Sequence, residues 1–393
     1  MTQRTEHDNT TLPVQLFFTT VQQRLALARQ RYFEEGVRPS GLVGESLIQS
    51  WSRCVQARRD PHEIVEFNPV TTSRVHSALQ RSRLLVSSAA SELSQLESTL
   101  AGTACSAILA DAQGVVVHAI HSASNDDAVL MPLASRLGVD LAEEQVGTTA
   151  PGVTLRTGQA SVVLGAEHFF GCLQVMYCAA APIRDIHGQL AGVLDVSSES
   201  RPFGFDAAAV VNMYATTIEN RLLRAQSTEH IVVHLQTAPS LLETPLEGLA
   251  GLDAHGRIAW VNTAAARLLG LACPSSGAQA ETVFGLDLAA FARLTRDEHA
   301  RVHRLPNGLT VWLGARMQSK DGAGPLVGLG APNPPALPTP DAPAPAAPTL
   351  RDNDRQLVQQ TVQACGGNVS KAARRLGVSR GLIYRHLKAS TPT

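Results

Sequence analysis

The run AAPIRDIHGQLAGVLDV, residues 180–196, reads as two apolar strands joined by Asp185-Ile186-His187-Gly188. Asp and Gly at those offsets supply the chemistry of a tight hairpin turn. The second arm, 190–195, is nearly continuous in apolar residues, which predicts a central strand buried on both faces. A near copy lies at 107–118, where Asp111 and Gly114 again punctuate two apolar runs. Between the copies the spacing predicts a helical segment over 142–155 and a strand over 161–164, followed by Gly165-Ala166-Glu167-His168-Phe169-Phe170. A helix over 206–226 closes the unit, giving an α/β sheet with flanking helices.

Working outward, apolar residues recur at helical spacing over 14–33 (Leu16, Phe17, Val21, Leu25, Leu27), and Gly36 with Pro39 ends that pattern. A second helix is expected over 42–58, where Ser50-Trp51-Ser52-Arg53-Cys54 puts Trp51 and Cys54 on one buried face and leaves Arg53 out. A third is expected over 75–100. Downstream, a smaller unit spans about 241–329. Its hairpin over 248–262 turns at Asp253 and Gly256, and Asn262 is placed to cap a helix over 263–269. A strand pair over 305–313 turns at Asn307-Gly308, and 325–329 reads as a last short strand. Residues 331–349 carry proline at nearly every second or third place, an extended semi-rigid tether.

The C-terminal stretch GGNVSKAARRLGVSRGLIYRHLK, 366–388, holds two short helical patterns back to back. Asn368 caps the first, Ala372, Ala373 and Leu376 share its apolar face, and Gly377 stops it. Val378 points inward, Ser379 caps the second helix, and Ile383 and Leu387 are its buried positions. This is the order of a helix-turn-helix. Ser379, Arg380, Leu382, Tyr384, Arg385 and Lys388 belong to the helix suited to a major groove, and Lys371, Arg374 and Arg375 to the helix that crosses the phosphate backbone. No acid follows Asp354, although the whole chain has a formal net charge of −1. Positive potential is therefore concentrated where phosphates would be met. The plain alternative is a solvated basic face on a helical hairpin.

With 393 residues, 44% hydrophobic and 17% charged, the chain is long enough for two or three cores plus small modules. Its polar N-terminus has no signal-peptide core and no run is long enough to span a bilayer, which predicts a cytoplasmic, nucleoid-associated protein with no membrane partner. Six cysteines without paired spacing point to reduced thiols.

Gly367-Asn368, Ala372-Ala373-Arg374, Leu376-Gly377-Val378-Ser379-Arg380 and the run from Leu382 to Lys388 resemble the Fis-type helix-turn-helix. The resemblance implies a preceding dimer-building helix, here 352–365 with Leu357, Val358, Thr361 and Val362. Upstream, Ser50-Trp51-Ser52-Arg53-Cys54, Glu143-Glu144-Gln145-Val146-Gly147-Thr148, Gly165-Ala166-Glu167-His168-Phe169, Cys178-Ala179-Ala180-Ala181-Pro182-Ile183 and Gly192-Val193-Leu194-Asp195-Val196-Ser197 resemble a GAF domain of the acetoin-catabolism and dihydroxyacetone-operon regulator type. The chain departs from that pattern at Thr149, where asparagine is usual, and at Leu141-Ala142, where an aromatic precedes the acidic pair. The unit over 241–329 resembles a PAS domain.

The fold class implied is multidomain α+β: a helical region at 1–75, a GAF sensor at 76–226, a small PAS-like domain at 240–330, a Pro-rich linker at 331–349 and a three-helix Fis-type helix-turn-helix at 350–393. The function implied is an effector-responsive, DNA-binding regulator of a catabolic operon, with no catalytic residue, metal or cofactor. Its implied partners are double-stranded DNA, a small-molecule effector and a second copy of the chain, with RNA polymerase or a full-length paralogue as further partners. Polar groups expected at the effector pocket are Glu144, Thr148, Thr149, His168, Tyr177, Cys178 and Asp195; the bland reading is that Thr148 and Thr149 cap a helix and Asp195 closes a turn. Regulators of this type commonly carry a central ATPase. The sequence has no G-x-x-x-x-G-K-[ST] phosphate loop, its nearest string at 41–46 lacking the lysine, and no GAFTGA loop, so an architecture without the ATPase is expected. Two other classes stay open: a redox or metal sensor or thiol reductase using Cys172, Cys178 and His168, and an architectural DNA-binding protein without a ligand.

Overall fold

The computed structural model describes residues 20–121, 128–271 and 277–317, and Val369 beyond them. The chain divides into two units, Met1–Pro325 and Leu326–Thr393, and the described residues up to Met317 form two lobes of the first.

In the first lobe α1 (Val21–Arg29) runs into a π turn (Gln30–Glu34) and is followed by α2 (Glu45–Gln56), α3 (Thr72–Arg81) and α4 (Arg83–Leu100). The chain continues through β1 (Cys105–Asp111), β2 (Val116–Ile120), α5 (Met131–Ala134), α6 (Glu143–Val146), α7 (Ala150–Thr157), β3 (Ser161–Leu164), β4 (Met176–Arg184), β5 (Leu190–Glu199) and α8 (Ala207–Gln226). The sheet is antiparallel throughout, in the order β2-β1-β5-β4-β3. The nearly all-apolar arm of the opening hairpin is its central strand. Both hairpins turn on the same device: Asp111 Oδ1 accepts from the Gln113 and Val115 amides, and Asp185 Oδ1 from the His187 and Gln189 amides.

Strand period two sorts the side chains onto two cores. Leu109, Ala179, Ala181, Ile183, Leu194 and Val196 pack under α4 and α8. Ile108, Val163, Cys178, Ala180 and Val193 face the other way, onto Leu25, Ile48, Trp51, Phe169 and Phe170. The helices before residue 57 thus share a core with the sheet. Where β5 crosses β1, a Cβ at Gly192 would stand 2.5 Å from the Ala110 carbonyl oxygen and 2.6 Å from Leu85 Cδ2. Gly192→Ala is expected to destabilise the lobe by about 1–3 kcal/mol, read from the denaturation midpoint, because strand or helix must move to admit the methyl.

Two helical expectations need correction. Residues 75–100 form two helices broken at Ser82, not one; the apolar period runs through the break, so packing sets it. The segment 142–155 is also two helices. Gly147, at φ +66°, ends α6 because the Phe170 ring lies where its Cβ would be, 2.6 Å away, and Thr149 starts α7 by accepting from the Gly152 amide.

The second lobe comprises β6 (Ile231–Gln236), β7 (Gly248–Leu252), β8 (Ile258–Val261), α9 (Thr263–Leu269), α10 (Ala280–Phe284), α11 (Leu288–Leu294), β9 (Arg301–Arg304) and β10 (Thr310–Met317), with sheet order β8-β7-β6-β10-β9. Its central strand, β6, lies upstream of residue 240, where the sequence reading begins this unit; the run Ile231-Val232-Val233 was its signal. Asp253 repeats the hairpin device and Asn262 caps α9 as expected. The strand expected over 325–329 lies outside the described residues.

The long helix α8 joins the lobes. Leu223 near its end packs with Val232, Leu249 and Trp260, and Asn220 Oδ1 accepts from Asn262 Nδ2 at 2.9 Å. Arg224 pairs with the buried Glu247.

Candidate functional site

On the face of the first sheet away from α4 and α8, a small cavity of about 30 Å³ lies between the strands and the segment that joins β2 to β4. Thr149, His168, Cys178, Asp195 and Ser197 line it together with Phe67, Met131, Ala134, Pro151, Leu173 and Met176.

His168 follows a short 3-10 turn (Gly165–Glu167) and is fully buried. Burial lowers its pKa to about 4, so the ring is neutral. Its Nδ1 stands 2.9 Å from the Gly165 carbonyl, which can only accept. The proton is therefore on Nδ1, and Nε2 is left as an acceptor 3.6 Å from Cys178 Sγ. Burial, with Asp195 beside it, pushes the Cys178 thiol far up, so it stays protonated. Asp195 is itself pushed up to about 7 by burial, against the Ser197 hydroxyl that donates to its Oδ2 at 2.6 Å. Its Oδ1 has no hydrogen-bond partner.

The cavity wall is tied down from the N-terminal helices. Arg29 of α1 donates to the carbonyls of Ala166, His168 and Phe169 at 3.2, 2.7 and 3.2 Å, and its guanidinium lies 4.7 Å from the Phe33 ring centroid. Trp51 of α2 donates to the Glu167 carbonyl at 2.8 Å. Beside it on the same helix, Ser50 bonds both Glu143 and Thr148 at 2.7 Å, and Arg53 holds Glu143 through two bonds of 2.5 and 2.7 Å. The Ser50-to-Cys54 run therefore anchors the two loops that close the cavity.

Of the residues expected from sequence, Thr149, His168, Cys178 and Asp195 meet at the cavity. Thr148 is fully buried but bonds Ser50, one layer out. Glu144 is on the surface, with its carbonyl accepting from Arg59, and Glu143 is the acid that turns in. In the single turn of α6 the adjacent acids point about 100° apart, and Arg53 captures only one. Tyr177 is half-buried and alternates with Cys178, so it projects to the opposite face of the sheet. Ser197 and Met176 were missed, though a step of two from Asp195 and Cys178 along their strands reaches them. Phe67 and Met131 arrive from distant segments and carried no local signal.

Cys172, Cys178 and His168 do not assemble as one group. Cys172 donates to the Glu63 carbonyl at 3.5 Å, outside the cavity lining. Among the described residues no group of three or more His, Cys, Asp or Glu side chains could hold a metal ion, the four described cysteines are free thiols, and no helix is long and apolar enough to cross a membrane. The nine DNA-contacting positions expected from sequence, Lys371, Arg374, Arg375, Ser379, Arg380, Leu382, Tyr384, Arg385 and Lys388, lie outside the described residues.

A mixed α/β lobe with a small cavity on one face of its sheet, on a chain that carries a basic helix-turn-helix pattern at 366–388, points to the transcription regulators as the class to look among. The family model for the MimR N-terminal domain matches residues 19–216, half of the chain, and the chain belongs to that family. A second model, the Fis family of bacterial regulatory proteins, matches residues 349–389 and gives the chain a DNA-binding domain of transcription regulators. The acetoin catabolism regulatory protein of Cupriavidus necator is 36% identical over 251 residues, covering 62% of this chain and 37% of that protein. The propane 2-monooxygenase operon transcriptional activator MimR of Mycolicibacterium smegmatis is 26% identical over 196 residues, 50% of this chain and 32% of that protein. The chain thus spans about a third of the length of these curated relatives. Among solved structures, the Escherichia coli DhaR(N)–DhaL complex aligns with 69% of this chain and 99% of its own, at 16% identity and a TM-score of 0.43.

Proposed function

We propose that this chain is an effector-responsive, DNA-binding transcriptional regulator of a catabolic operon. In this reading the first lobe is a GAF-type sensor and its small cavity takes a small metabolite. The second lobe is a PAS-like domain with a structural or dimerising role, the Pro-rich stretch is a tether, and the C-terminal Fis-type unit binds DNA as a dimer in the cytoplasm. The observation that carries the reading is the meeting of Thr149, His168, Cys178 and Asp195 at one small cavity, in a chain whose residues 349–389 match the Fis family. The missing phosphate loop supports action without ATP hydrolysis, either beside RNA polymerase or paired with a longer relative. The protonated Cys178 and the separate placement of Cys172 favour this reading over a redox or metal sensor.

The test is to sequence the DNA bound in cells and to titrate the recovered operator with and without metabolites of the neighbouring operon. An operator affinity unmoved by any of them would leave a purely architectural DNA-binding protein. Specificity is expected to divide between the two helices. Arg380→Ala and Arg385→Ala should each lower operator binding by about 1–3 kcal/mol and reduce the ratio of operator to random-DNA affinity. Arg375→Ala should weaken both kinds of DNA alike and flatten the salt dependence, as a lost phosphate contact does. Titrations at several salt concentrations check this, and unchanged ratios for both recognition-helix variants would remove that helix from the reading role.

A further inference from the structure

Between the two lobes lies a cleft of about 660 Å³, a volume within the range of small-molecule sites. From the first lobe α8 supplies Asn212, Thr216 and Glu219, whose spacing puts them on one face of that helix. From the second lobe α9 supplies Thr263 and Arg267, one turn apart. We infer that this cleft binds an amino acid with a free ammonium and a free carboxylate, the ammonium meeting Glu219 and the carboxylate meeting Arg267. Asn220 and Asn262, the pair that ties α8 to α9, line the cleft as well, so the occupant sits at the joint between the lobes.

Glu219 is half-buried, and its Oε2 accepts from the Arg184 amide at 2.8 Å. The buried unpaired side-chain atoms among the described residues are Asp195 Oδ1, His230 Nδ1 and Trp260 Nε1. Glu219 Oε1 takes no hydrogen bond and is not one of these, so it is open to solvent. Burial raises the Glu219 pKa against the amide bond and the charge of Arg184, which leaves the carboxylate short of positive partners. The Arg184 guanidinium is engaged elsewhere, Nη1 donating to the Gly188 carbonyl and Nη2 to the Gly158 carbonyl. Arg267 is exposed and has neither a hydrogen bond nor an ion pair. Two opposite charges from different lobes therefore line one cleft without pairing to each other.

The described lining carries the cations of Arg184 and Arg267 against the one carboxylate of Glu219, so an amine without a carboxylate meets net repulsion. A carboxylate without an amine satisfies Arg267 but offers no donor to the open oxygen of Glu219. A zwitterion answers both signs. Ala215, Ala264 and Leu246 give the cleft apolar surface for the carbons between or beside the charged ends. No aromatic side chain is among the described residues of the lining, so a flat ring has nothing to stack on.

Calorimetric titration of the full chain at pH 8 and low salt tests the assignment. The probes are L-alanine, 4-aminobutanoate and 6-aminohexanoate, with butylamine and butanoate as one-ended analogues. The best of the zwitterions is expected to bind about tenfold more tightly than either analogue, as one added charge-assisted hydrogen bond allows. Glu219→Gln keeps an oxygen for the Arg184 amide; it should weaken the zwitterion about tenfold and leave butanoate unchanged. Arg267→Gln, on an exposed position, should weaken the zwitterion and butanoate alike and leave butylamine unchanged. Circular dichroism checks that both variants fold. Butanoate or butylamine binding as tightly as the best zwitterion would reduce the cleft to a site for one charge and overturn the inference. Zwitterion binding that survives both substitutions would overturn it by placing the ligand elsewhere, and so would binding by none of the zwitterions. Each of these outcomes leaves the small cavity of the first lobe as the sensor site untouched.

Discussion

Trp51→Ala is expected to lower the stability of the first lobe by about 3–5 kcal/mol. The side chain is completely buried, its ring centroid lies 5.4 Å from Tyr32 and 5.1 Å from Phe33, and its indole N–H holds the Glu167 carbonyl. Removing it leaves a cavity too well braced to collapse, and it frees the segment that carries His168. Trp51→Phe keeps most of the packing but orphans that carbonyl, with an expected cost of about 1–3 kcal/mol. Urea denaturation of the full chain, followed by the circular dichroism of the first transition, measures both. A loss under about 1 kcal/mol for the alanine variant would mean that α2 is an appendage of the lobe and not a wall of its core.

The second expectation concerns pH. Asp195 is buried on the sheet and its carboxyl is raised to about 7 from an ordinary 3.8, with desolvation as the cause. The folded chain therefore keeps a proton that the unfolded chain releases. Between about pH 4 and 7 the unfolded state binds fewer protons, so this group's contribution makes stability fall as pH rises. Asp195→Asn cannot ionise, and its advantage over wild type should open above about pH 4 and level off above about pH 7, at roughly 2–4 kcal/mol. His168 and His234, both held neutral by burial with pKa values lowered to about 4, act in the other direction. They destabilise the fold as pH drops from 6.5 toward 4, but they are common to both proteins and cancel in the difference. Denaturation midpoints of the pair from pH 4 to 9 provide the comparison. A gap that did not change with pH would show that Asp195 is ionised in the fold and that its environment is wetter than its burial implies.

Local pattern carried a large part of this architecture. The three Asp-x-x-Gly hairpins at 111–114, 185–188 and 253–256, the central position of β5, the Asn262 cap and the burial of Trp51 and Cys54 all follow from turn chemistry and from periods of two and 3.6. Four of the seven effector-site positions reach the cavity. Those that do not were lost to orientation. Tyr177 and Cys178 are adjacent on a strand and so face opposite ways. Glu143 and Glu144 are adjacent on one helical turn, and only Arg53, ninety residues earlier, selects between them.

By itself, then, the sequence determined the hairpins of the sheet, the helices that flank it and the helix-turn-helix pattern of 366–388, because each of these is written in residues a few positions apart. The tertiary structure alone decided that Arg29, Trp51 and Arg53 tie down the cavity wall, that Phe67 and Met131 complete it, and that Asp195 is buried with one oxygen unpaired. Those facts depend on contacts between segments tens of residues apart. Burial and desolvation are properties of the packed volume, and no local window of residues contains them.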